Sequence, residues 1–338
     1  MSVNVKFWFK ALKVIPRLTR EEWDDLDLVS RWLVSTRFAA VVLTAFSVLI
    51  AGLLSYQTRP VNVLVWVGML VALLFAHATN NIINDLVDFR KGVDKENYFR
   101  DLYGPQPVQL GFRTQKQQLR YAIVNGIIAG GIGAFVSGYR GGLAWVLMGL
   151  GFLFMVFYTY PLKYFAAGEV SLLLVWGPLM VGGGYYVLVG AWSWMVVVAS
   201  LPYALGVTAA LMAKHIDKYE YDKEAGVHTL PVVIGEAAAR YVVLVLIALQ
   251  YVITGYLIVT GFFTPIMALV VLALPQYIRK VIPPFLKPRP TERPEAYPES
   301  AWPLWFVAFT FVYSRTFGGL FVLALLLDTA AKLWFLSV

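Results

Sequence analysis

The chain has 338 residues, of which 59% are hydrophobic and 14% are charged. Soluble domains carry about 25% charged residues, so this composition excludes an ordinary soluble enzyme and a disordered chain. The lack of cysteine excludes disulfides, thiolate metal sites and cysteine nucleophiles, and three histidines are too few for a His-rich metal site. In so apolar a chain, a net charge of +8 indicates basic loops beside a bilayer and argues against nucleic acid as a partner.

The first 36 residues form a predicted cytoplasmic amphipathic segment. Within it, residues 3–15 mix Leu12, Ile15 and two phenylalanines with three lysines, which is typical of a helix that lies on a membrane surface. Residues 37–338 are predicted to form one transmembrane domain. The Pro-rich stretch 283–303 is its only linker-like segment and is too short to separate domains.

Apolar runs of about 20 residues are long enough to cross roughly 30 Å of hydrocarbon. Nine such runs predict an all-α, polytopic membrane bundle around a central cavity. Residues 301–312 are a candidate for a tenth, half-buried segment before the last run. The predicted runs are 37–56, 61–83, 119–138, 142–160, 169–190, 193–213, 240–260, 262–279 and 315–335.

Basic residues predict how this bundle is oriented. Most of the 28 Lys and Arg residues fall before the first run, or in the connections after the second, fourth, sixth and eighth runs. All of these segments lie on one side of a nine-span bundle, whereas the loops of the other side hold only Arg59 and Arg140. The positive-inside rule therefore predicts a cytoplasmic N-terminus and active site, in what we expect to be a prokaryotic inner membrane.

A first acidic cluster continues the second apolar run. Asn81, Asn84, Asp85 and Asp88 are spaced so that one helix face carries two amides and two carboxylates, and Asp94 follows shortly after. Ionisable groups that continue a membrane span are costly, which favours a functional role. Their oxygens suit a hard cation such as Mg²⁺, which completes its shell with phosphates and water. The alternative is a solvated helix end with ordinary loop charges.

A second acidic cluster, at 214–224, follows the sixth run. Asp217 and Asp222 are five residues apart, about 140° around a regular helix, so both reach one ion only if the helix loosens there. Glu220 could share a face with Asp217. The alternative is that Lys218 and Asp222, four residues apart, form an ordinary surface ion pair.

The run from Asn84 to Asp94 resembles the first aspartate-rich motif of the UbiA superfamily of intramembrane prenyltransferases. It is most similar to the branch of 1,4-dihydroxy-2-naphthoate polyprenyltransferases, which serves menaquinone biosynthesis. The likeness extends over roughly residues 30–335. Six further segments also resemble the family, namely 104–111, 158–163, 168–169, 176–178, 185–186 and 225–231.

The second cluster departs from the motif that the resemblance implies. That motif has Asn, then Asp, then a further Asp four residues later. Asp222 matches the final Asp, but Lys218 stands at the earlier Asp position, and Lys214 and His215 stand at the Asn positions. We favour a loosened helix in which Asp217 replaces the missing ligand. The alternative is a regular helix in which Lys218 binds phosphate as a fixed cation in place of a second metal ion.

The resemblance implies transfer of a prenyl group from an allylic polyprenyl diphosphate to an aromatic acceptor, 1,4-dihydroxy-2-naphthoate or a related quinone precursor, within the lipid bilayer. It also implies two Mg²⁺ ions. The implied metal ligands are Asp85, Asp88, Asp94, Asp217 and Asp222. The implied catalytic residues are Asp217, Asp222 and Lys163, and the implied substrate-binding residues are Arg37, Asn81, Asn84, Lys91, Tyr158, Tyr160 and His215.

Other interpretations stay open at this point. The acceptor could instead be a chlorophyll-type ring or a glycerol lipid. Glu169 is either a site residue or a charge at a helix N-terminus, and His77 is predicted to be a packing histidine. A transporter would place coupling acids near the bilayer midplane on broken helices, whereas both clusters here lie at one membrane face. The unusual second cluster also permits an inactive, partner-binding scaffold.

Overall fold

The structure is a computed structural model that describes residues 3–92 and 106–337, so the predicted ligand Asp94 lies outside the described residues. Within these ranges the chain is helical and forms no strand, apart from one isolated bridge between Phe165 and His228. The prediction of an all-α membrane bundle is confirmed.

The helices are numbered here in chain order. They are α1 (Val5–Lys13), α2 (Arg20–Asp25), α3 (Leu28–Ser35), α4 (Phe38–Tyr56), α5 (Val63–Arg90), α6 (Gln115–Arg140), α7 (Leu143–Phe157), α8 (Gly168–Val189), α9 (Trp194–Asp217), α10 (Tyr219–Glu224), α11 (Leu230–Ile234), α12 (Glu236–Val259), α13 (Pro265–Phe285) and α14 (Phe306–Ser337).

Eight of the described helices are long and apolar enough to cross a membrane, namely α4, α5, α6, α8, α9, α12, α13 and α14. The protein is therefore an integral membrane protein. The predicted fourth span is the shorter α7, whose 15 residues extend only about 22 Å at a rise of 1.5 Å per residue. The nine predicted spans thus correspond to eight long helices and the short α7. That α7 crosses the membrane stays a prediction.

One predicted boundary holds and another is wrong. Helix α5 runs to Arg90, so the helix continues past the apolar run that ends at 83 and carries the first acidic cluster, as its spacing predicts. The last helix begins at Phe306, so 301–312 is not a separate tenth segment.

Three short helices precede the first span, each with a side-chain cap. Asn4 caps α1, Thr19 and Glu22 form a capping box at α2, and Asp27 caps α3. The Asp27 carboxylate also lies 3.2 Å from the indole nitrogen of Trp8, which joins α1 to the start of α3. A helix therefore forms where the amphipathic one is predicted; its placement on a membrane surface stays a prediction.

Helix α9 is the most buried of the eight long helices, and α4 is the next. The two are joined where the Tyr203 hydroxyl donates a hydrogen bond to the backbone oxygen of Leu43 at 2.7 Å. Gly206 leaves room for Gln250 of α12, because a Cβ there would lie 2.6 Å from the Gln250 amide nitrogen. The C-terminal end of α9, which carries the second acidic cluster, is thus fixed at the centre of the bundle.

A polar network ties the opposite end of the bundle together. Asp328 of α14 accepts hydrogen bonds from the Gln57 amide at 3.0 Å and the Thr264 backbone N–H at 2.7 Å, and pairs with Lys332 at 2.9 Å. The Asp328 carboxylate is fully buried but paired, which is what membrane depth requires. The network joins α4, α13 and α14.

Candidate active site

The first acidic cluster occupies the last three turns of α5. Asn84, Asp85 and Asp88 are all buried, with Asp85 only 2% exposed. They lie on one face because the helix continues unbroken to Arg90. The amide of Asn84 also donates to the hydroxyl of Thr159 at 3.3 Å, which links α5 to the connection between α7 and α8.

Arg37 is brought onto this face by a left-handed backbone conformation between α3 and α4, where its φ is 53°. Its guanidinium lies 3.0 Å from the Asp85 carboxylate and donates to the Asn84 side chain and the Asn81 backbone oxygen, both at 3.2 Å. The Asn81 amide donates in turn to the backbone oxygen of Thr36 at 2.8 Å. The sequence-predicted residues Arg37, Asn81, Asn84 and Asp85 are thus in mutual contact.

Lys163 reaches the same helix from the connection between α7 and α8. Its ammonium lies 3.0 and 3.1 Å from the two carboxylate oxygens of Asp88, and both side chains are buried. Nearby, the Lys91 ammonium stands 3.6 Å from the centre of the Tyr160 ring and 4.4 Å from that of Tyr164. Tyr160 is half-exposed, so Lys91 and Tyr160 lie at the rim of the site, not in its interior.

The second cluster is divided by a break in the helix. Helix α9 ends at Asp217, Lys218 leaves the helical conformation, and α10 begins at Tyr219. The Lys218 ammonium lies 3.0 Å from the Asp222 carboxylate, and both side chains are buried. The alternative of an ion pair between these two residues is therefore right in its partners and wrong in its surface position, because burial of α9 takes the pair out of solvent.

His215 and Glu169 form a second buried pair beside this break. Nδ1 of His215 lies 2.6 Å from one carboxylate oxygen of Glu169, and the other oxygen accepts the backbone N–H of Leu230 at 3.4 Å. Glu169 therefore meets His215 instead of acting only as a charge at the start of α8.

The two clusters meet around Tyr158. Its hydroxyl lies close enough to Asp88, Glu169, Asp222 and Arg37 to interact electrostatically with all four. The connection that carries Tyr158 is also tied to the segment after the second cluster, since the Ala166 N–H donates to the His228 oxygen at 2.7 Å. The end of α5 and the short α10 that follows α9 therefore contribute charged groups to the surroundings of one tyrosine.

Asp217 does not join that site. One of its carboxylate oxygens accepts the backbone N–H of Phe306 at 2.9 Å, and the other accepts those of Trp305 and Val307 at 3.1 and 3.0 Å. The helix loosens at Lys218, as we favoured, but the carboxylate turns to the start of α14. Its oxygens are occupied by donors of the last helix, so we remove Asp217 from the metal ligands and catalytic residues.

An apolar cavity of about 290 Å³ lies between α5, α6, α7 and α8, and Tyr158 of the site lines it. Asn80 is another of its few polar lining residues, whereas Met69, Trp176 and Val187 are among the apolar ones. His77 also borders the cavity, but its Nδ1 lies 2.8 Å from the Thr44 hydroxyl and its ring packs edge-on against Trp176. This agrees with the prediction that His77 is a packing histidine.

The carboxylate and amide oxygens of the first cluster fit a hard divalent cation that is held jointly with a phosphate ligand. In the described ranges, no group of three or more His, Cys, Asp or Glu residues is arranged to hold a metal ion by itself. Mg²⁺ commonly binds through one or two carboxylates and takes the rest of its shell from phosphates and water. The second cluster fits less well, because an ammonium stands beside its only remaining aspartate.

Two site residues escaped the sequence analysis or were left undecided by it. Thr159 was missed, although it follows Tyr158 directly, because a lone threonine in a turn carries no periodic signal. Glu169 was undecided, because its pairing with His215 joins residues 46 positions apart.

The comparisons with known proteins show the family and the fold. The model of the UbiA prenyltransferase family matches residues 44–297. UbiA prenyltransferase domain-containing protein 1 of Gallus gallus is 32% identical over 219 residues, which is 62% of each chain, so this chain spans a little under two thirds of that relative's length. The 1,4-dihydroxy-2-naphthoate octaprenyltransferase of Haemophilus influenzae is 27% identical over 63% of this chain and 72% of its own.

Among solved structures, a UbiA homolog from Archaeoglobus fulgidus bound to GPP and Mg²⁺ superposes with a TM-score of 0.58. The match covers 87% of this chain and 99% of that one at 15% identity, which establishes a shared fold. With the family match covering most of the chain, the protein belongs to the UbiA prenyltransferase family.

Proposed function

We propose that the protein transfers a prenyl group from an allylic polyprenyl diphosphate to an aromatic acceptor, 1,4-dihydroxy-2-naphthoate or a related quinone precursor. One observation carries the proposal: three buried cations, Arg37, Lys163 and Lys218, pair with aspartates of the two clusters. Tyr158, which interacts electrostatically with both clusters, also lines the apolar cavity. The arrangement matches a ligand with a polyanionic head and a hydrocarbon tail. The relative from Haemophilus influenzae supports the choice of acceptor.

The reaction breaks the bond between the allylic carbon and the diphosphate oxygen, and forms a bond from that carbon to the acceptor ring. Negative charge grows on the departing diphosphate, and fixed cations stabilise it as it develops. Arg37 and Lys163 are held for this role by Asp85 and Asp88. Mg²⁺, when bound by the first cluster with the diphosphate, would add Lewis-acid stabilisation of the same charge.

The allylic cation needs an apolar, water-poor surrounding with aromatic faces. Tyr158 and Trp176 line the cavity and supply such faces. The acceptor ring must then lose a proton from the carbon that was alkylated. Glu169 contacts Nδ1 of His215. We therefore assign Nε2, the other ring nitrogen, to contact the acceptor and to take up this proton.

Transport is the second function considered, and the position of the charges disfavours it. Both acidic clusters lie at helix ends on one face of the bundle, whereas coupling acids of transporters lie near the midplane. Transport would require the buried pairs of the site to be reached from both faces.

The test uses detergent-purified protein, radiolabelled geranylgeranyl diphosphate and a panel of acceptors, with Mg²⁺ or with EDTA. We expect labelled product with 1,4-dihydroxy-2-naphthoate, and none with EDTA. If only another acceptor gives product, the proposed acceptor is wrong and the proposed prenyl transfer stands. Donor binding without product from any acceptor would support a scaffold, and labelled donor uptake into proteoliposomes without product would support transport.

A further inference from the structure

Lys218 and Asp222 form a buried ion pair where the second cluster faces the site. The Lys218 ammonium lies 3.0 Å from one Asp222 oxygen, with the lysine 3% exposed and the aspartate fully buried. In the described part of the chain, the ammonium makes no second hydrogen bond, so two of its three N–H groups remain for a ligand. The other Asp222 oxygen accepts no hydrogen bond there.

The backbone holds this pair in place. The Lys218 N–H donates to the His215 oxygen at 3.2 Å, and the Asp222 N–H donates to the Lys218 oxygen at 2.8 Å. The Val227 N–H closes the following turn on the Asp222 oxygen at 2.7 Å. The ammonium is thus carried by a fixed turn, and little reorganisation is needed to present it to an anion.

The same turn points Asp217, which could have helped Asp222 hold a metal ion, away from Asp222. Asp217 accepts three backbone N–H groups from the start of α14, and Glu220 is exposed. A divalent cation bound to Asp222 would therefore have one carboxylate and would lie within a few ångströms of the Lys218 ammonium. Like charges at that distance in a buried site repel strongly.

We propose that Lys218 replaces the second metal ion of this active site, so that the protein binds the donor diphosphate with one divalent cation and one fixed ammonium. The inference rests on the proposed function. The single ion is assigned to the first cluster, where Asp85 and Asp88 lie on one helix face. At the second cluster, Lys218 donates hydrogen bonds directly to diphosphate oxygens, and Asp222 positions and neutralises the lysine when no donor is bound.

The first experiment counts bound Mn²⁺ by electron paramagnetic resonance, using detergent-purified protein with saturating geranyl S-thiolodiphosphate, a donor analogue that resists cleavage. We expect one Mn²⁺ per chain. Two ions per chain would overturn the inference while leaving the proposed function intact. No binding of the analogue, with or without Mn²⁺, would overturn the proposed function and this inference with it.

The second experiment uses variants and the same two readouts. Lys218→Asp places two carboxylates one helical turn apart, and we expect its Mn²⁺ count to rise to two. Lys218→Arg keeps the charge and should still bind one. In EDTA, Lys218→Met should bind the analogue about tenfold more weakly than wild type, the size of one charge-assisted hydrogen bond, and Lys218→Arg should stay within about twofold.

The exposed Lys223, on the same short helix, provides the matched control. Lys223→Ala should leave both the Mn²⁺ count and the metal-free affinity unchanged. If Lys223→Ala and Lys218→Met weaken analogue binding equally, only the overall positive charge of this region matters. That result would overturn the assignment of Lys218 as a direct diphosphate ligand. If Lys218→Asp does not fold, the wild-type count and the Lys218→Met affinity decide the question.

Discussion

Three buried ion pairs lie at the candidate active site. Arg37 with Asp85, Lys163 with Asp88 and Lys218 with Asp222 all lie 3.0 Å apart. Removing one partner of such a pair is costly because it leaves an uncompensated charge in a low-dielectric site. Substitutions here therefore test function only if stability is measured beside activity.

For Asp88→Asn we expect the specificity constant for the donor to fall by at least about 100-fold, because the Lys163 ammonium loses the carboxylate that positions it. Thermal stability should also fall. The double variant Asp88→Asn with Lys163→Met should recover stability but not activity. Asp24→Asn, which breaks an exposed pair with Arg20, serves as the control. Near wild-type turnover of a folded Asp88→Asn variant would contradict the assignment.

Asp217→Ala should act on stability. It leaves three backbone donors at the start of α14 without their acceptor, at about 1–3 kcal/mol for each buried donor that stays unsatisfied. We expect a clearly lower unfolding temperature and nearly normal turnover per folded molecule at low temperature. An unchanged unfolding temperature with lost turnover would instead restore Asp217 as a metal ligand.

At the scale of helices, capping decides how the N-terminal segment is held against the bundle. Burial opposes ionisation of Asp27, but hydrogen bonds from Ser30, Asn4 and Trp8 outweigh it and lower the Asp27 pKa from 3.8 to about 2. The folded state therefore favours the carboxylate, which caps α3 and holds Trp8 of α1.

The pH dependence follows from the direction of that shift. A lowered pKa contributes stability that is fully present above the unfolded value of 3.8 and is lost as the pH falls through about 2. The chain has no cysteine, so Phe9→Cys, at an exposed position of α1, accepts a single spin label. The label should be ordered at pH 5 and gain mobility between pH 4 and 2. In Asp27→Asn it should be mobile throughout; an ordered label there would contradict the role of the cap.

The break between α9 and α10 shows how one helix end can serve two purposes. Asp217 on one side of the break caps α14, and Lys218 and Asp222 on the other side face the site. In a regular helix, Asp217 and Lys218 would lie about 100° apart around one axis. The break lets the two side chains turn to different parts of the protein. The irregular turn is tolerated because the backbone N–H groups of Lys218 and Asp222 are hydrogen-bonded within the protein.

At the scale of the whole molecule, helices α5 to α8 enclose the apolar cavity while α9 and α4 form the packed centre. Glycines on α6 keep part of that cavity open. Gly130 borders the cavity, and a Cβ placed there would meet no atom within 4 Å. The adjacent Gly131 has equally open surroundings but does not border the cavity.

These two glycines give a matched test of where the prenyl tail lies. Gly130→Leu should fill cavity space and lower turnover with geranylgeranyl diphosphate more than turnover with the shorter geranyl diphosphate. Gly131→Leu adds the same side chain outside the cavity and should leave the ratio of the two rates unchanged. The ratio is measured by paired assays on detergent-purified protein. An equal response of both variants would contradict placement of the tail in this cavity.

The membrane class, most of the spans and one face of α5 could be predicted from local patterns in the chain. That face carries Asn81, Asn84, Asp85 and Asp88. These predictions are possible because hydrophobic runs and helical periodicity are local properties of the chain. The resemblance of the sequence to the UbiA superfamily also implied Arg37 and Lys163 as site residues.

The partners of the second cluster could not be predicted in this way, because they are long-range contacts. Asp217 bonds to residues about 90 positions away, and His215 pairs with Glu169 across 46 positions, so no local pattern encodes either contact. The burial of Lys218 likewise depends on the packing of α9 within the bundle. Helical spacing predicts the face of a helix on which a residue lies. The element that packs against that face depends on how the helices assemble.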